Sequence, residues 1–238
     1  MPGVGRVGMA RSVCQSVRVV SDAYAASIAD ELWLLTTCAE PRRAPPHAVR
    51  LGVVTAAICD LANSGEVSWT GPGNESYLLV RETCHCVDDT ERRWHERLVD
   101  AAGGRALAAR FCVGPLIPDT WDDVAQRLIT RHAADEVGSR LTVWGRPTYR
   151  VADRPAVERR QHQLRRDLKS GLVPGRDHDL IVIAWASGCL DDLFQVHGLA
   201  VGGDVTDAAR QVADGDELAQ HLETAVAYSA SLPMPPMM

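Results

Sequence analysis

Lysine is almost missing from this chain. It carries 25 basic and 31 acidic side chains, a net charge of −6, and every basic residue except Lys169 is an arginine. An acidic total argues against nonspecific nucleic-acid binding, which draws its affinity from neutralised phosphates. Any cationic surface must therefore be local. Aromatic residues are scarce as well, at 5%, which speaks against a sandwich of aromatic-rich strands. A long apolar run is also lacking. A bilayer-spanning helix needs roughly 20 such residues, whereas the longest stretch, Leu180 to Leu190, is shorter and contains Gly188. The opening segment sets Arg6, Arg11 and Arg18 among short apolar stretches, without the continuous apolar core of a secretory leader. The expected location is the cytoplasm.

Cysteine is present but unorganised. Seven thiols, an odd number without framework spacing, point to a reducing compartment. Cys84, His85 and Cys86 are the one local concentration of metal-ligand types. A zinc site needs a third and a fourth ligand, and Cys112, His95 and His132 form no second paired motif. The thiols are therefore read as packed side chains, with no metal and no cofactor expected. No nucleophile elbow, phosphate-cradling glycine loop or metal-binding helix motif occurs, so catalysis is not expected either.

What is there is helical periodicity. Asp179 to Phe194, DLIVIAWASGCLDDLF, is apolar on every face over its first half. It reads as a central core helix capped by Asp177 and Asp179 and closed near Gly198, with Leu180, Ile183 and Trp185 buried. Residues 1–21 read as a basic tail, 22–230 as a single domain and 231–238 as a second tail. Within the domain, a first helix carries Ile28, Leu32 and Leu35 at helical spacing. A proline-broken loop, Pro41 to His47, holds Arg42 and Arg43. A second helix spans Ala48 to Asn63, and a hairpin pairs Glu66 to Thr70 with Tyr77 to Val80. Helices follow at Glu91 to Ala102 and Thr120 to Ala134, then a second hairpin of Leu141 to Trp144 with Thr148 to Val151. A polar helix opens at Pro155, and residues 146–169 hold a local excess of arginine, including Arg159, Arg160, Arg165 and Arg166. After a Gly202 to Asp204 loop come helices at Asp207 to Ala213 and Asp216 to Tyr228. The fold class is mainly α: a helical bundle around one buried hydrophobic helix, with small surface β-hairpins.

The succession ADELWLL, AAICDLANSGEV, LTVWGRPTYRV and DHDLIVIAWASGCLDDLF resembles the Golgi phosphoprotein 3 family and its bacterial branch, over roughly residues 27–228. The resemblance implies a mainly α-helical fold. It also implies a phosphatidylinositol 4-phosphate headgroup pocket made of a loop tryptophan and several arginines, where guanidinium forks match phosphate oxygens. Counted from the LANSG turn, the tryptophan position is Pro45 and one arginine position is Val54. Arg50, one turn earlier, and Arg42 and Arg43 in the loop are the nearest substitutes, and the family's middle-helix arginine pair corresponds to Arg127 and Arg131. The resemblance therefore implies a non-catalytic peripheral module that binds anionic phospholipid headgroups through Arg42, Arg43, Arg50, Arg127 and Arg131 at the inner face of a membrane, with no nucleic-acid partner. A homo-oligomer is compatible with this reading, and so is a second one, a cytosolic helical scaffold that meets no lipid.

Overall fold

A computed structural model describes residues 27–38, 46–72, 75–137, 148–194 and 202–231. The two tails, Arg42, Arg43, Pro45, the Leu141 to Trp144 strand and Gly198 lie outside the described residues. Among those described, helices dominate. They are α1 (Ile28–Thr37), α2 (His47–Asn63), α3 (Asp89–Ala102), α4 (Ala109–Cys112), α5 (Thr120–Thr130), α6 (Arg154–Ser170), α7 (Gly175–Ser187), α8 (Leu190–Phe194), α9 (Gly203–Ala213) and α10 (Glu217–Ser231). Strands β1 (Val67–Thr70), β2 (Tyr77–Val80) and β3 (Leu107–Ala108) form an antiparallel sheet in that order, and β4 (Ala134–Glu136) pairs with β5 (Tyr149–Val151). The mainly α class with small surface hairpins is what the structure shows.

The helix ends follow local chemistry. The Asp88 carboxylate accepts from the N–H groups of Thr90 and Glu91 and starts α3, and Asp153 accepts from Ala156 N–H to start α6 with Pro155 in its first turn. At its far end α3 stops on Gly103 in the left-handed conformation, which glycine adopts without a Cβ penalty.

The central apolar stretch does pack in the core, and Leu180 to Ala184 are fully buried. It is not one helix to Phe194. Gly188, at φ 72°, closes α7 with its N–H on the Ala184 carbonyl, and the short α8 restarts at Leu190. The sequence places the stop ten residues too late because the apolar pattern continues through Cys189 and Leu190 into α8. Trp185 is half-buried rather than enclosed, since it lies on the α9 side with the Arg210 guanidinium 5.7 Å from its ring centre. The most enclosed helix is α1, in which all ten residues are buried. It lies against α2, α5, α6, α7 and α8.

Further differences are local. The partner of β5 is β4, with Ala134 opposite Val151 and Glu136 opposite Tyr149. Helix α5 stops at Thr130 because His132 turns to φ 58° and Ala133 N–H bonds back to the Leu128 carbonyl, which frees Ala134 to extend as a strand. Strand β3 and helix α4 have too few residues to show a period in sequence. Helix α9 begins at Gly203, within the stretch read as loop.

Helices α1, α2 and the α7–α8 break meet at Gly52. A Cβ there would lie 2.8 Å from Cys189 Sγ, 3.1 Å from Ser187 Oγ and 3.2 Å from Leu32 Cδ2. Only hydrogen fits without displacing one of them.

Candidate functional site

Two acidic residues sit in the first turn of the most buried helix, and each binds two arginines. Arg127 Nε donates to Asp30 Oδ1 at 2.8 Å, and Arg131 Nη1 donates to Asp30 Oδ2 at 2.7 Å. Next along the chain, Glu31 accepts from Arg160 Nε at 2.7 Å and from Arg176 Nε at 2.8 Å. Arg160 also donates to both oxygens of Asp177. Consecutive helical residues point about 100° apart, so Asp30 faces α5 while Glu31 faces α6 and α7. The adjacent pair Asp30 and Glu31, at the start of the ADELWLL segment, is thus the hub of two charge clamps.

The Asp30 clamp extends outward. Arg127 Nη2 donates to Ser27 Oγ at 2.9 Å, its Nη1 lies 3.4 Å from Asp88 Oδ1 and 3.6 Å from Glu91 Oε1, and its guanidinium is 4.9 Å from the Trp94 ring centre. Asp60, near the end of α2, accepts from the backbone N–H of Ile28 at 2.7 Å and of Ala29 at 3.0 Å, and from the Ser27 hydroxyl. It thereby caps α1 from another helix. Burial pushes the carboxyls of Asp30 and Asp60 up, against the pull of Arg127. Burial acts the same way on Asp88, but Arg127, the N–H groups of Glu91 and Thr90, and Arg131 outweigh it and hold that carboxyl down. Desolvation disfavours the Arg127 cation, and the surrounding carboxylates more than restore it.

This arrangement bears on the proposed headgroup residues. Arg127 is buried and Arg131 is partly exposed, and both forks are engaged by carboxylates of the chain itself. Val54 is fully buried in α2, so the position that the resemblance assigns to an arginine faces the core. Arg50 stands apart. It lies in the first turn of α2, is half-buried, and its Nε carries no hydrogen bond. The structure brings Arg127 and Arg131 together on Asp30 and leaves Arg50 outside that network. On α6, Arg160 is held in the Glu31 clamp and Arg165 donates to the Phe194 carbonyl at 2.5 Å, while Arg159 and Arg166 are exposed.

Beside the clamps a cleft of about 460 Å³ opens between Ile28, Asp60, Asn63, Glu91, Arg176 and Asp179. Burial raises the carboxyls of Asp60, Glu91 and Asp179 alike. With three acids against one arginine, it is a poor seat for a phosphate.

Two groupings escaped the sequence. Ser76 Oγ lies 2.6 Å from His221 Nδ1, and His221 Nε2 lies 3.7 Å from Glu217 Oε1. The order mimics a nucleophilic triad, but Ser76 is 2% exposed, while Glu217 is largely in solvent and its oxygen is too far for a hydrogen bond. The imidazole stacks on Trp69 at 5.2 Å, so this contact fastens α10 to the first hairpin. The second grouping joins Glu66 to Cys84 and Cys86, whose ligand atoms all lie within 4.8 Å of one another. Glu66 lies too far back in sequence to register as a partner of the Cys84–Cys86 pair. Cys112, weighed from sequence as a further ligand, is buried in the core and is not in that group.

Among the described residues no helix is long and apolar enough to cross a membrane. The model of the family described as Golgi phosphoprotein 3 (GPP34) matches residues 28–228. No curated protein matches the chain.

Proposed function

Because the chain belongs to the Golgi phosphoprotein 3 family, we propose that it is a non-catalytic module that docks on anionic phospholipid headgroups at a membrane surface. The observation that carries this reading is Arg50. It follows directly on the segment bearing Arg42 and Arg43, at the N-terminal end of α2, and it takes no part in the carboxylate clamps that occupy Arg127 and Arg131. A helix N-terminus adds partial positive charge at Arg50. The binding residues in this reading are Arg42, Arg43 and Arg50, while Arg127 and Arg131 are held in the Asp30 clamp. Charge rather than a shaped pocket then holds the headgroup, because Pro45 and Val54 stand where an aromatic ring and a guanidinium would give it shape.

Such binding is screened by salt. The Debye length falls from about 10 Å at 0.1 M to about 3 Å at 1 M. Co-sedimentation with neutral, generally anionic and phosphoinositide-containing vesicles at two salt concentrations tests the proposal. Association should follow vesicle charge, with little preference for the 4-phosphate isomer. Replacing Arg42, Arg43 and Arg50 by alanine should weaken it by up to about 3 kcal/mol, at about 1 kcal/mol for each basic residue near an anionic surface. The same change at the exposed Arg159 and Arg166 should do less. Equal binding to neutral and anionic vesicles, or none to either, rejects the lipid reading in favour of a protein scaffold.

A further inference from the structure

We propose that Glu66, Cys84 and Cys86 form a binding site for a thiophilic divalent cation of the zinc class. The backbone builds the site at the open end of the first hairpin. Arg81 N–H bonds to the Glu66 carbonyl at 3.0 Å and extends the β1–β2 ladder by one step, so Glu66 stands where the chain leaves β2. That chain then returns over Glu66: His85 N–H donates to Glu66 Oε1 at 2.9 Å, and Cys86 N–H points to Cys84 Sγ at 3.3 Å. Both thiols lie beside the carboxylate, and the His85 side chain between them is 64% exposed, with its Nδ1 3.7 Å from Glu66 Oε1.

All three ligand atoms fall within 4.8 Å of one another. A tetrahedral zinc site with Zn–S of about 2.3 Å and Zn–O of about 2.0 Å has ligand atoms about 3.3–3.8 Å apart. Closing the cluster onto an ion therefore takes a side-chain adjustment and no refolding. Two thiolates with one carboxylate select a borderline-soft cation over magnesium or calcium.

The independent observation is a pair of buried polar atoms without partners. Glu66 is 1% exposed, and its Oε2 has no hydrogen bond. His95 on α3 is equally buried, its Nε2 likewise has no hydrogen bond, and it stands 3.8 Å from that same oxygen. No arginine or lysine pairs with Glu66 among the described residues, whose only ionic neighbours there are His85 and His95. A buried carboxylate ordinarily has a countercharge or a full set of donors. A divalent cation against Oε2 supplies the charge, and His95 flanks the site. Burial, with Cys84 and Glu66 close by, pushes the Cys86 thiol up to about 12. Binding displaces the two thiol protons to solvent, so apparent affinity rises with pH.

The test uses the full chain, reduced and freed of metal by chelation, titrated with Co²⁺ and then with Zn²⁺. One equivalent of Co²⁺ should give a thiolate-to-cobalt charge-transfer band, which Zn²⁺ removes by displacement while raising the melting temperature. Cys84→Ser, at a half-buried position that tolerates the change, should abolish the band. Glu66→Gln should weaken Co²⁺ binding at least tenfold, and Cys38→Ser, in another part of the core, should leave it unchanged. Absence of the band at saturating Co²⁺, or an equal band in Cys84→Ser, overturns the site and leaves Glu66 and His95 as a buried pair.

Discussion

Asp30 and Arg127, 97 residues apart in sequence, bind each other at 2.8 Å inside the protein, and the Ser27 hydroxyl joins them on the same guanidinium. A carboxylate in the innermost helix is stable there only with such partners, because an unpaired buried charge is far costlier than an unmade surface pair. Removing one member should therefore hurt far more than the pair contributes net.

Arg127→Ala should destabilise the protein by about 3–5 kcal/mol, the range for stranding a buried charge. Arg127→Lys should recover little, since one ammonium cannot serve Asp30, Ser27 and Asp88 from a planar fork. Arg131→Ala, at a side chain 37% exposed, should cost about 1 kcal/mol or less. Chemical denaturation of the three variants is the measurement, and equal losses at the two arginines would contradict the clamp.

Ile183→Ala should cost about 2–5 kcal/mol, as truncation of a fully buried side chain does. Trp185→Ala should cost less, because one side of that indole meets the Arg210 guanidinium rather than the core. Melting curves that rank Trp185 above Ile183 would show that α7 is rotated from the orientation described.

Gly52→Ala sets two effects against each other. Alanine gains about 1 kcal/mol of helix propensity, but its Cβ would lie 2.8 Å from the buried Cys189 Sγ, and overpacking costs about 1–3 kcal/mol. A net loss is expected. Adding Cys189→Ala should restore part of it, and a double variant no better than the sum of the singles would argue against this contact.

Asp88 supplies a pH signature. Its folded carboxyl titrates below its ordinary 3.8, so its stabilisation is complete above the unfolded value and fades as pH falls through the folded one. The stability gap between the parent and Asp88→Asn, which keeps a capping side chain, should be constant above about pH 5 and shrink below about pH 4. Asp30 and Asp60, pushed the other way by burial, are present in both proteins, and Asp30 shares Arg127 and Arg131 with Asp88. A gap unchanged into acid would contradict the assignment.

Much of the fold was legible in the sequence because its cues are local. The Asp88 cap, Pro155 in the first turn of α6, the stripe through Leu32 and Leu35, and the turn at Gly65 each lie within a few residues of what they determine. The break at Gly188 was hidden because apolar residues on both sides keep a helical rhythm, and only the left-handed backbone marks it. The roles of the arginines were not legible. Arg50, Arg127 and Arg131 look alike in a string, and what separates them is whether Asp30 and Asp88 converge on them from distant helices. Glu66 was missed as a companion of the thiols for the same reason, its proximity being made by a hairpin rather than by spacing.

The clamps also set an order of events during synthesis. Helix α1 leaves the ribosome with Asp30 and Glu31 unmatched. Their partners follow 97 residues later for Arg127, and 129 and 145 residues later for Arg160 and Arg176. At roughly 5–20 residues per second, the nascent helix waits roughly 5–20 s for its first arginine and up to about 30 s for its last. Burying an unpaired carboxylate is costly. Helix α1, buried along its whole length, thus emerges well before the arginines that pair its two carboxylates have been made.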